Sequence, residues 1–315
     1  MEAILINNLT KIYRNGKKAL DHLSMTVKEG EIFTLLGQNG AGKSTLINTL
    51  TTYLTPTSGS VKVFGKDLCH EAAFVRKQIA CVAQKISIDN HLTLMENMLF
   101  QGRLYQLDKA TAAERIDELI HVFALEDFSD HRVTTYSGGM KRRLDIAMSM
   151  ISRPKLLFLD EPTVALDIES RKAVWEIIEK IRKDYGTTVF MTTHYLEEAE
   201  HLSDTICILK DGHELVQDTP ENLRRYTRQK LLQITLTNPA DIKPLERLVS
   251  KQPFVSAIHF KDRIMILTVN DKEHDLVSIN KLLIDHAISY CSIGMIEPSL
   301  EHVFLTLTQG ESKGA

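Results

Sequence analysis

Long apolar runs are missing from this sequence of 315 residues. A helix that crosses a bilayer needs about 20 consecutive apolar residues, and no stretch approaches that length. Residues 1–8 (MEAILINN) also lack the charged start and the long apolar segment of a secretory signal peptide. We therefore expect a chain that remains in the cytoplasm and does not itself span a membrane.

Paired cysteines and a strong charge imbalance are missing too. The four cysteines are scattered without a CxxC pair, and the twelve histidines include no HExxH motif, which argues against a disulfide framework or a zinc site. The formal net charge is -3, so we do not expect a protein whose main task is to grip nucleic acid. The length suggests about two domains, and the composition alone leaves the chemistry open.

Apolar, β-prone runs are present, and they alternate with helical patterns. Three of them, at 31–36, 155–160 and 187–192, have the composition of buried strands, and the first ends in a glycine-rich turn. Between the last two, residues 170–183 carry apolar side chains at helical spacing. Strands separated by helices of this length predict a mainly parallel sheet in an α/β domain.

Two further segments of the first part of the chain have different patterns. Residues 2–30 together with 59–64 favour an antiparallel β subdomain. Residues 86–150 lack a strong strand pattern, and 110–124 and 142–151 have helical spacing, so we predict a helical subdomain inserted there.

A second, smaller domain is predicted from residue 227 onward. Its pattern has the order β-α-β-β-α-β, which is typical of a ferredoxin-like or related α+β domain. The predicted elements are a strand at 231–237, a helix at 244–251, a hairpin at 255–269 turning at 261–262, a helix at 275–286 and a strand at 288–296. We therefore predict domains at 1–226 and 227–315.

The glycine-rich turn after the first strand matches the phosphate-loop pattern GxxxxGK[ST] and opens a predicted helix at 43–50. Glycines let backbone N–H groups converge on phosphate oxygens without Cβ clashes, and the helix N-terminus favours an anion. Lys43 can supply charge to the β- and γ-phosphates, and the Ser44 hydroxyl can ligate Mg²⁺. The predicted nucleotide-binding residues of this loop are Gly37, Asn39, Gly40, Gly42, Lys43, Ser44 and Thr45.

Two acids, Asp160 and Glu161, end the second predicted strand. The carboxyl edge of a parallel sheet is where such folds bind ligands, so we expect Asp160 to reach Mg²⁺ through water and Glu161 to polarise a water that attacks the γ-phosphate. General-base help of this kind is typically worth roughly 10²–10⁴ in rate. A GTPase is not expected, because residues 280–283 (NKLL) lack the aspartate of an NKxD guanine reader.

A third motif indicates the family. Residues 136–144 (YSGGMKRRL), in which Ser137 lies 23 residues before Asp160, resemble the LSGGQ signature of ABC ATPases. The motif departs from the commonest form at Tyr136 and Met140, while Ser137, Gly138 and Gly139 are kept. The YSGGM form, with 193–200 (THYLEEAE) and 297–305 (EPSLEHVFL), is similar to the drug-resistance and antibiotic-export (daunorubicin-resistance-like) branch, so the resemblance covers nearly the whole chain.

Other residues stand in the order that the family motifs have. Tyr13 resembles the aromatic residue that stacks on adenine, and Gln84 resembles the Q-loop glutamine, a catalytic residue and Mg²⁺ ligand that couples nucleotide state to the permease contact. Asp167, in Ala165-Leu166-Asp167, resembles the D-loop residue that links two sites. The resemblance implies that His194 contacts the γ-phosphate and the attacking water.

The resemblance also implies how the chain would work. Two ATPase subunits, expected to be identical, would pack head to tail so that Ser137, Gly138 and Gly139 act on the partner's ATP. The work would be delivered to separate integral membrane permease subunits, through the helical subdomain and residues 85–94, at the cytoplasmic face of the membrane. An importer ATPase and an ABC ATPase without a transport role are alternatives; the YSGGM form argues against the first, and the single set of motifs without a long coiled coil argues against the second.

Overall fold

The computed structural model describes residues 1–128, 131–226, 230–297 and 299–309. The chain divides into two compact units, Met1–Pro220 and Glu221–Ala315. The predicted domain limit between 226 and 227 stays a prediction, since residues 227–229, which follow it, lie outside the described residues. Among the described residues, no helix has the length and apolar character to cross a membrane.

The first unit contains most of the strands and helices. Its strands are β1 (Glu2–Ile12), β2 (Lys18–Lys28), β3 (Ile32–Leu36), β4 (Ser58–Val63), β5 (Lys66–Asp67), β6 (Ile79–Val82), β7 (Leu156–Asp160), β8 (Thr188–Thr193), β9 (Thr205–Lys210) and β10 (His213–Asp218). Its helices are α1 (Lys43–Leu50), α2 (Ala72–Gln78), α3 (Leu94–Leu104), α4 (Lys109–Val122), α5 (Gly138–Met150), α6 (Ile168–Tyr185) and α7 (Leu196–Leu202).

The central sheet has the strand order β10-β9-β3-β8-β7-β6. All neighbours from β9 to β6 pair in parallel, and only β10 pairs antiparallel with β9. β3 and β8 are buried along their whole length, which explains why neither strand contains a charged residue. The rings of Phe33 and Phe158 pack on Phe190 with centroids 5.1 and 5.5 Å away. The predicted mainly parallel core is confirmed, and it brings the carboxyl ends of β3, β7 and β8 to one edge.

The antiparallel β subdomain is confirmed as a second sheet with the order β2-β1-β4-β5. β1 pairs with both β2 and β4, and the apolar faces of these strands share a core with β3 and α1. Gly59 begins the close approach of β4 to β1: its φ is +88°, and a Cβ there would lie 2.4 Å from the Asn8 carbonyl oxygen. Any other residue would be strained at that position.

The helical subdomain consists of α3, α4 and the start of α5, packed around one apolar core. α3 begins at a capping box formed by Thr93 and Glu96, and Asp108 caps α4. The predicted helix at 110–124 is observed as α4. The helix predicted at 142–151 begins earlier, at Gly138, because Ser137 caps it and the glycines continue the helical turn.

The second unit has the α+β order that the sequence predicts. Its elements are α8 (Pro220–Tyr226), which starts one residue before the unit, β11 (Lys230–Leu236), α9 (Ile242–Val249), β12 (Val255–Lys261), β13 (Ile264–Val269), α10 (Lys272–Asp285), β14 (Tyr290–Ile296) and α11 (Leu300–Gln309). The antiparallel sheet has the order β12-β13-β11-β14, as in a ferredoxin-like domain. The hairpin turns one residue later than predicted, with Asp262 at φ 55°, and α11 is an additional helix.

Candidate functional site

The loop between β3 and α1 has a backbone that only glycine adopts freely. Gly40 and Gly42 have φ values of +88° and +114°, in the region that a Cβ disfavours. Space is also restricted, since a Cβ on Gly42 would lie 2.6 Å from the Ala19 carbonyl oxygen and one on Gly37 would lie 2.7 Å from that of Leu209. No side chain caps α1 at Gly42, so the first amide groups of the helix are available to an anion.

Lys43, at the start of α1, is 6% exposed and has its ammonium group folded back over the loop. Its Nζ donates a hydrogen bond of 2.7 Å to the Gly37 carbonyl and lies 3.3 Å from Glu161 Oε1. The ion pair connects the phosphate loop to the end of β7. A phosphate group that enters the loop would compete with Glu161 for this ammonium group, since both are anions.

Glu161 is the point on which the predicted catalytic residues converge. Gln84 Nε2 donates to its Oε2 at 3.2 Å, and His194 Nδ1 lies 3.3 Å from the same oxygen. The backbone has φ 48° at Glu161, a strained conformation for a residue with a side chain, and its N–H donates to Thr192 Oγ1 at 3.0 Å. The carboxylate is 12% exposed, so it lies in a fixed position with limited access to solvent.

Asp160 is held by a different contact. Thr192 Oγ1 on β8, the strand that pairs in parallel with β7, donates a hydrogen bond of 2.6 Å to Asp160 Oδ1. This bond fixes the orientation of the Asp160 carboxylate. Asp160 itself is not part of the cavity wall described below.

A cavity of about 650 Å³ lies over the phosphate loop. Its wall includes the tip of the β1–β2 hairpin, the loop, and the ends of β6, β7 and β8. The lining residues are Tyr13, Lys17, Ala19, Asn39, Gly40, Gly42, Lys43, Ser44, Thr45, Gln84, Glu161, Val164 and His194. The Tyr13 hydroxyl lies 3.1 Å from Thr45 Oγ1, so the predicted adenine-stacking residue stands beside the loop. Gly37 is not among the lining residues, and its carbonyl accepts the hydrogen bond from Lys43.

The signature and D-loop residues lie elsewhere in the unit. Ser137 caps α5, with its Oγ accepting from the Met140 N–H at 3.2 Å, and Asp167 caps α6 by accepting from the Ser170 N–H at 2.8 Å. The two caps are adjacent: a Cβ on Gly139 would lie 2.4 Å from Ser170 Oγ. The cavity of the same chain is not lined by any of these signature and D-loop residues, Ser137, Gly138, Gly139 and Asp167.

Glu198 and Arg142 are buried charged residues that the sequence reasoning missed. Glu198 on α7 is fully buried and accepts hydrogen bonds from Thr163 Oγ1 at 2.7 Å and Trp175 Nε1 at 3.0 Å. Burial raises the pKa of the Glu198 carboxyl above its usual value. Arg142 on α5 is 3% exposed and donates to backbone carbonyls beside Gln84 and Glu161. Neither had a distinguishing signal, because Glu198 lies among other glutamates and Arg142 among other basic residues.

Known proteins resemble this chain in sequence and in structure. The ABC transporter family model matches residues 20–164. The chain is 39% identical to the daunorubicin/doxorubicin resistance ATP-binding protein DrrA of Streptomyces peucetius, over 97% of this chain and 92% of that protein. It is 35% identical to the Nod factor export ATP-binding protein I of Rhizobium sp., over 94% and 93%. A dimeric ATP-binding cassette in a post-hydrolysis state with ADP and Pi is similar in structure, with a TM-score of 0.61, 28% identity and coverage of 69% of this chain and 98% of that one.

Proposed function

The chain belongs to the ABC transporter family of ATP-binding proteins, whose members are ATPases, and from this premise we propose that Glu161 is the base with which it hydrolyses ATP to drive export through separate membrane permeases. The observation that carries the proposal is the convergence of Lys43, Gln84 and His194 on the Glu161 carboxylate at one end of the cavity. A carboxylate held among groups that also suit a γ-phosphate is placed to activate a water that attacks this phosphate.

The nucleotide would bind with its phosphates on the loop and its base toward Tyr13. The φ values of Gly40 and Gly42 turn the backbone so that no Cβ obstructs the approach of phosphate oxygens. Lys43 would exchange its ion pair with Glu161 for the β- and γ-phosphates, which releases the carboxylate to accept a proton from water. His194 would then hold the γ-phosphate and orient that water.

Magnesium fits the donor set of this site. The Ser44 hydroxyl, the Asp160 carboxylate and the Gln84 amide carbonyl are all oxygen ligands, which Mg²⁺ prefers together with substrate phosphates and water. Gln84 uses its amide nitrogen toward Glu161, so its carbonyl oxygen is the group left for a cation. The ion would neutralise charge on the β- and γ-phosphates when it is bound.

Two copies of the chain would complete each site. Ser137 and Gly138 are exposed and do not line their own cavity, which supports a role toward a partner's ATP. An isologous pair would close two such sites with one interface. We propose a homodimer that closes when ATP is bound and opens after hydrolysis.

The permease contact is proposed on the helical subdomain. Phe100 and Leu104 are four residues apart on α3, so they share one face, and they are 54% and 60% exposed. Ile86, 39% exposed, follows Gln84 in the segment that Asn97 ties to α3 through its hydrogen bonds with Asp89. Exposed apolar side chains on α3 and in the segment that follows Gln84 suit a protein partner that senses nucleotide state. Such a contact would hold the chain at the cytoplasmic face of the membrane.

The cargo is proposed as a drug, antibiotic or lipid-like compound. Relatives with similar identity are named for daunorubicin and doxorubicin resistance and for Nod factor export, which supports export over import and over an ABC ATPase without a transport role. Because these relatives differ in cargo, the permease rather than this chain would select the compound.

The deciding experiment is Glu161→Gln in the purified full-length protein. We expect ATP binding to be kept, a stable ATP-bound dimer to accumulate, and turnover to fall by roughly 10²-fold or more. Glu197→Gln, the same change on the exposed side of α7, is the matched control and should hydrolyse ATP at the normal rate. Normal turnover in Glu161→Gln would mean that the base is another group.

A further inference from the structure

Arg142 is a buried guanidinium in a run of three basic residues, Lys141-Arg142-Arg143. Its side chain is 3% exposed, whereas its two neighbours are half-buried. Arginine is seldom fully buried unless it is paired, and leaving such a charge without partners is costly. The contacts of this side chain therefore need an explanation beyond the start of a helix.

Three backbone carbonyls accept hydrogen bonds from Arg142. Nη1 donates to the Ala83 carbonyl at 2.7 Å, Nε to the Pro162 carbonyl at 2.8 Å and Nη2 to the Asp160 carbonyl at 3.2 Å. Ala83 directly precedes Gln84, and Asp160 and Pro162 stand on either side of Glu161. Arg142 thus holds the backbone next to Gln84 and next to Glu161, whose side chains are hydrogen-bonded to each other at the edge of the cavity.

An acid on the same helix extends this contact. Asp145 Oδ2 lies 3.6 Å from Arg142 Nη1, and Ser87 Oγ donates to Asp145 Oδ1 at 2.7 Å. Ser87 lies in the segment that follows Gln84, so this segment is tied to α5 both before and after Gln84. We call the set formed by Arg142, Asp145, Ser87 and the three carbonyls the guanidinium clamp.

The chemistry of arginine suits this position. Its planar fork offers five N–H donors in fixed directions, whereas lysine has a single ammonium group that cannot reach three separated carbonyls at once. The same helix is capped at its N-terminus by Ser137 of the signature motif. A displacement of the helix start would therefore pull on the backbone of Gln84 and Glu161 through the clamp.

We propose that Arg142 is a positioning residue, which holds Gln84 and Glu161 in the reactive arrangement and makes them follow movements of the signature helix. Arg142 lines no part of the nucleotide cavity, so it acts through the two loops. The inference rests on the proposed roles of Glu161 and Gln84. Replacing Arg142 should change the rate of ATP hydrolysis rather than the affinity for ATP, because the phosphate loop that binds ATP is built from other residues.

The test compares Arg142→Lys with Arg143→Lys in the full-length protein. Arg143 is the matched control, since its Nη1 donates only to the carbonyls of Phe123 and Ala124 among the bonds observed, at 3.4 and 3.2 Å, in the helical subdomain. Steady-state ATP hydrolysis gives kcat and KM, and a fluorescent ATP analogue gives the affinity. We expect Arg142→Lys to lower kcat about 10- to 100-fold, as misplacement of a reacting group does, with affinity changed less than about threefold. Arg143→Lys should keep both values.

Ser87→Ala provides a second variant that leaves the buried charge in place. Removing one hydrogen bond of the clamp should lower kcat by roughly 2- to 10-fold at unchanged affinity, and it decides the question if Arg142→Lys does not fold. Normal kcat in both variants, or a parallel loss of kcat and affinity, would overturn the positioning role. Glu161→Gln is measured alongside: if it retains normal turnover, the assignment of Glu161 fails instead, whereas its inactivity with normal kcat in the clamp variants refutes only this inference.

Discussion

Gly139→Ala tests how tightly the signature helix packs on the helix that follows the D-loop. An added Cβ would lie 2.4 Å from Ser170 Oγ and 2.6 Å from Ser170 Cβ, closer than nonbonded carbon and oxygen atoms approach. Ser170 is held in place, because its hydroxyl donates to Asp167 Oδ2 at 2.9 Å and its N–H donates to Oδ1 of the same residue. The backbone of α5 or α6 would therefore have to shift.

The neighbouring glycine supplies the matched control. A Cβ on Gly138 would meet only Leu166 Cδ2, at 3.6 Å, which is ordinary contact. Replacing glycine with alanine in a helix contributes up to about 1 kcal/mol of stability, so Gly138→Ala should be neutral or stabilising. In Gly139→Ala, an overpacking cost of about 1–3 kcal/mol opposes the same gain, so this variant should be less stable than Gly138→Ala by about 1–3 kcal/mol.

Thermal unfolding of the full-length variants measures this difference. For a unit of this size, about 1 kcal/mol corresponds to roughly 2–4 °C, so Gly139→Ala should melt several degrees below Gly138→Ala. Ser170→Gly removes both close atoms. In a Ser170→Gly background, Gly139→Ala should therefore lower the melting temperature much less than it does in the native chain. Equal melting temperatures for the two alanine variants would refute the steric reasoning.

Three further outcomes are expected. Lys43→Ala should weaken ATP binding or turnover and leave Glu161 without its ion pair; normal ATPase activity would contradict the phosphate-loop assignment. Ser137→Arg should prevent the ATP-bound dimer, seen by size-exclusion chromatography with ATP, while the subunit still binds nucleotide; a normal dimer would argue against shared sites. For Glu198, whose folded pKa is raised by burial, the favourable contribution is fully present below the ordinary value of 4.5 and is lost as pH rises through the folded pKa. Urea denaturation should therefore show Glu198→Gln gaining stability relative to the native chain as pH rises from 5 to 8, and a difference independent of pH would contradict the raised pKa.

Much of the fold was accessible from the sequence because its signals are local. β3, β7 and β8 are buried on both faces, so their sequences are rich in apolar residues and contain no charged residue before Asp160 at the end of β7. β6 and β10 escaped prediction: the first has four residues and the second is half-exposed through most of its length, so neither shows a clear period. The early start of α5 was missed because its first turn contains two glycines, Gly138 and Gly139, and glycine has a low helix propensity.

The candidate site also has a part that local sequence predicts and a part that depends on distant residues meeting in the fold. Residues 37–45 carry their own geometry, since Gly40 and Gly42 have backbone angles that their residue type permits and Lys43 follows at the helix start. The pairing of Gln84 with Glu161 joins residues 77 positions apart, and it depends on β6 and β7 being neighbours in the sheet. The roles of both residues remain predictions that the variants above can test.

The sequence by itself determined the phosphate loop, the two acids at the end of β7 and the signature serine, because each depends on residue types within one short segment. Only the tertiary structure decided that Arg142 turns inward while Lys141 and Arg143 do not, and that Gly139 has no room for a methyl group. Those properties arise from what α5 packs against. The parallel order of the strands brings the carbonyls of residues 83, 160 and 162 to one side chain, and no local pattern of residues encodes that meeting.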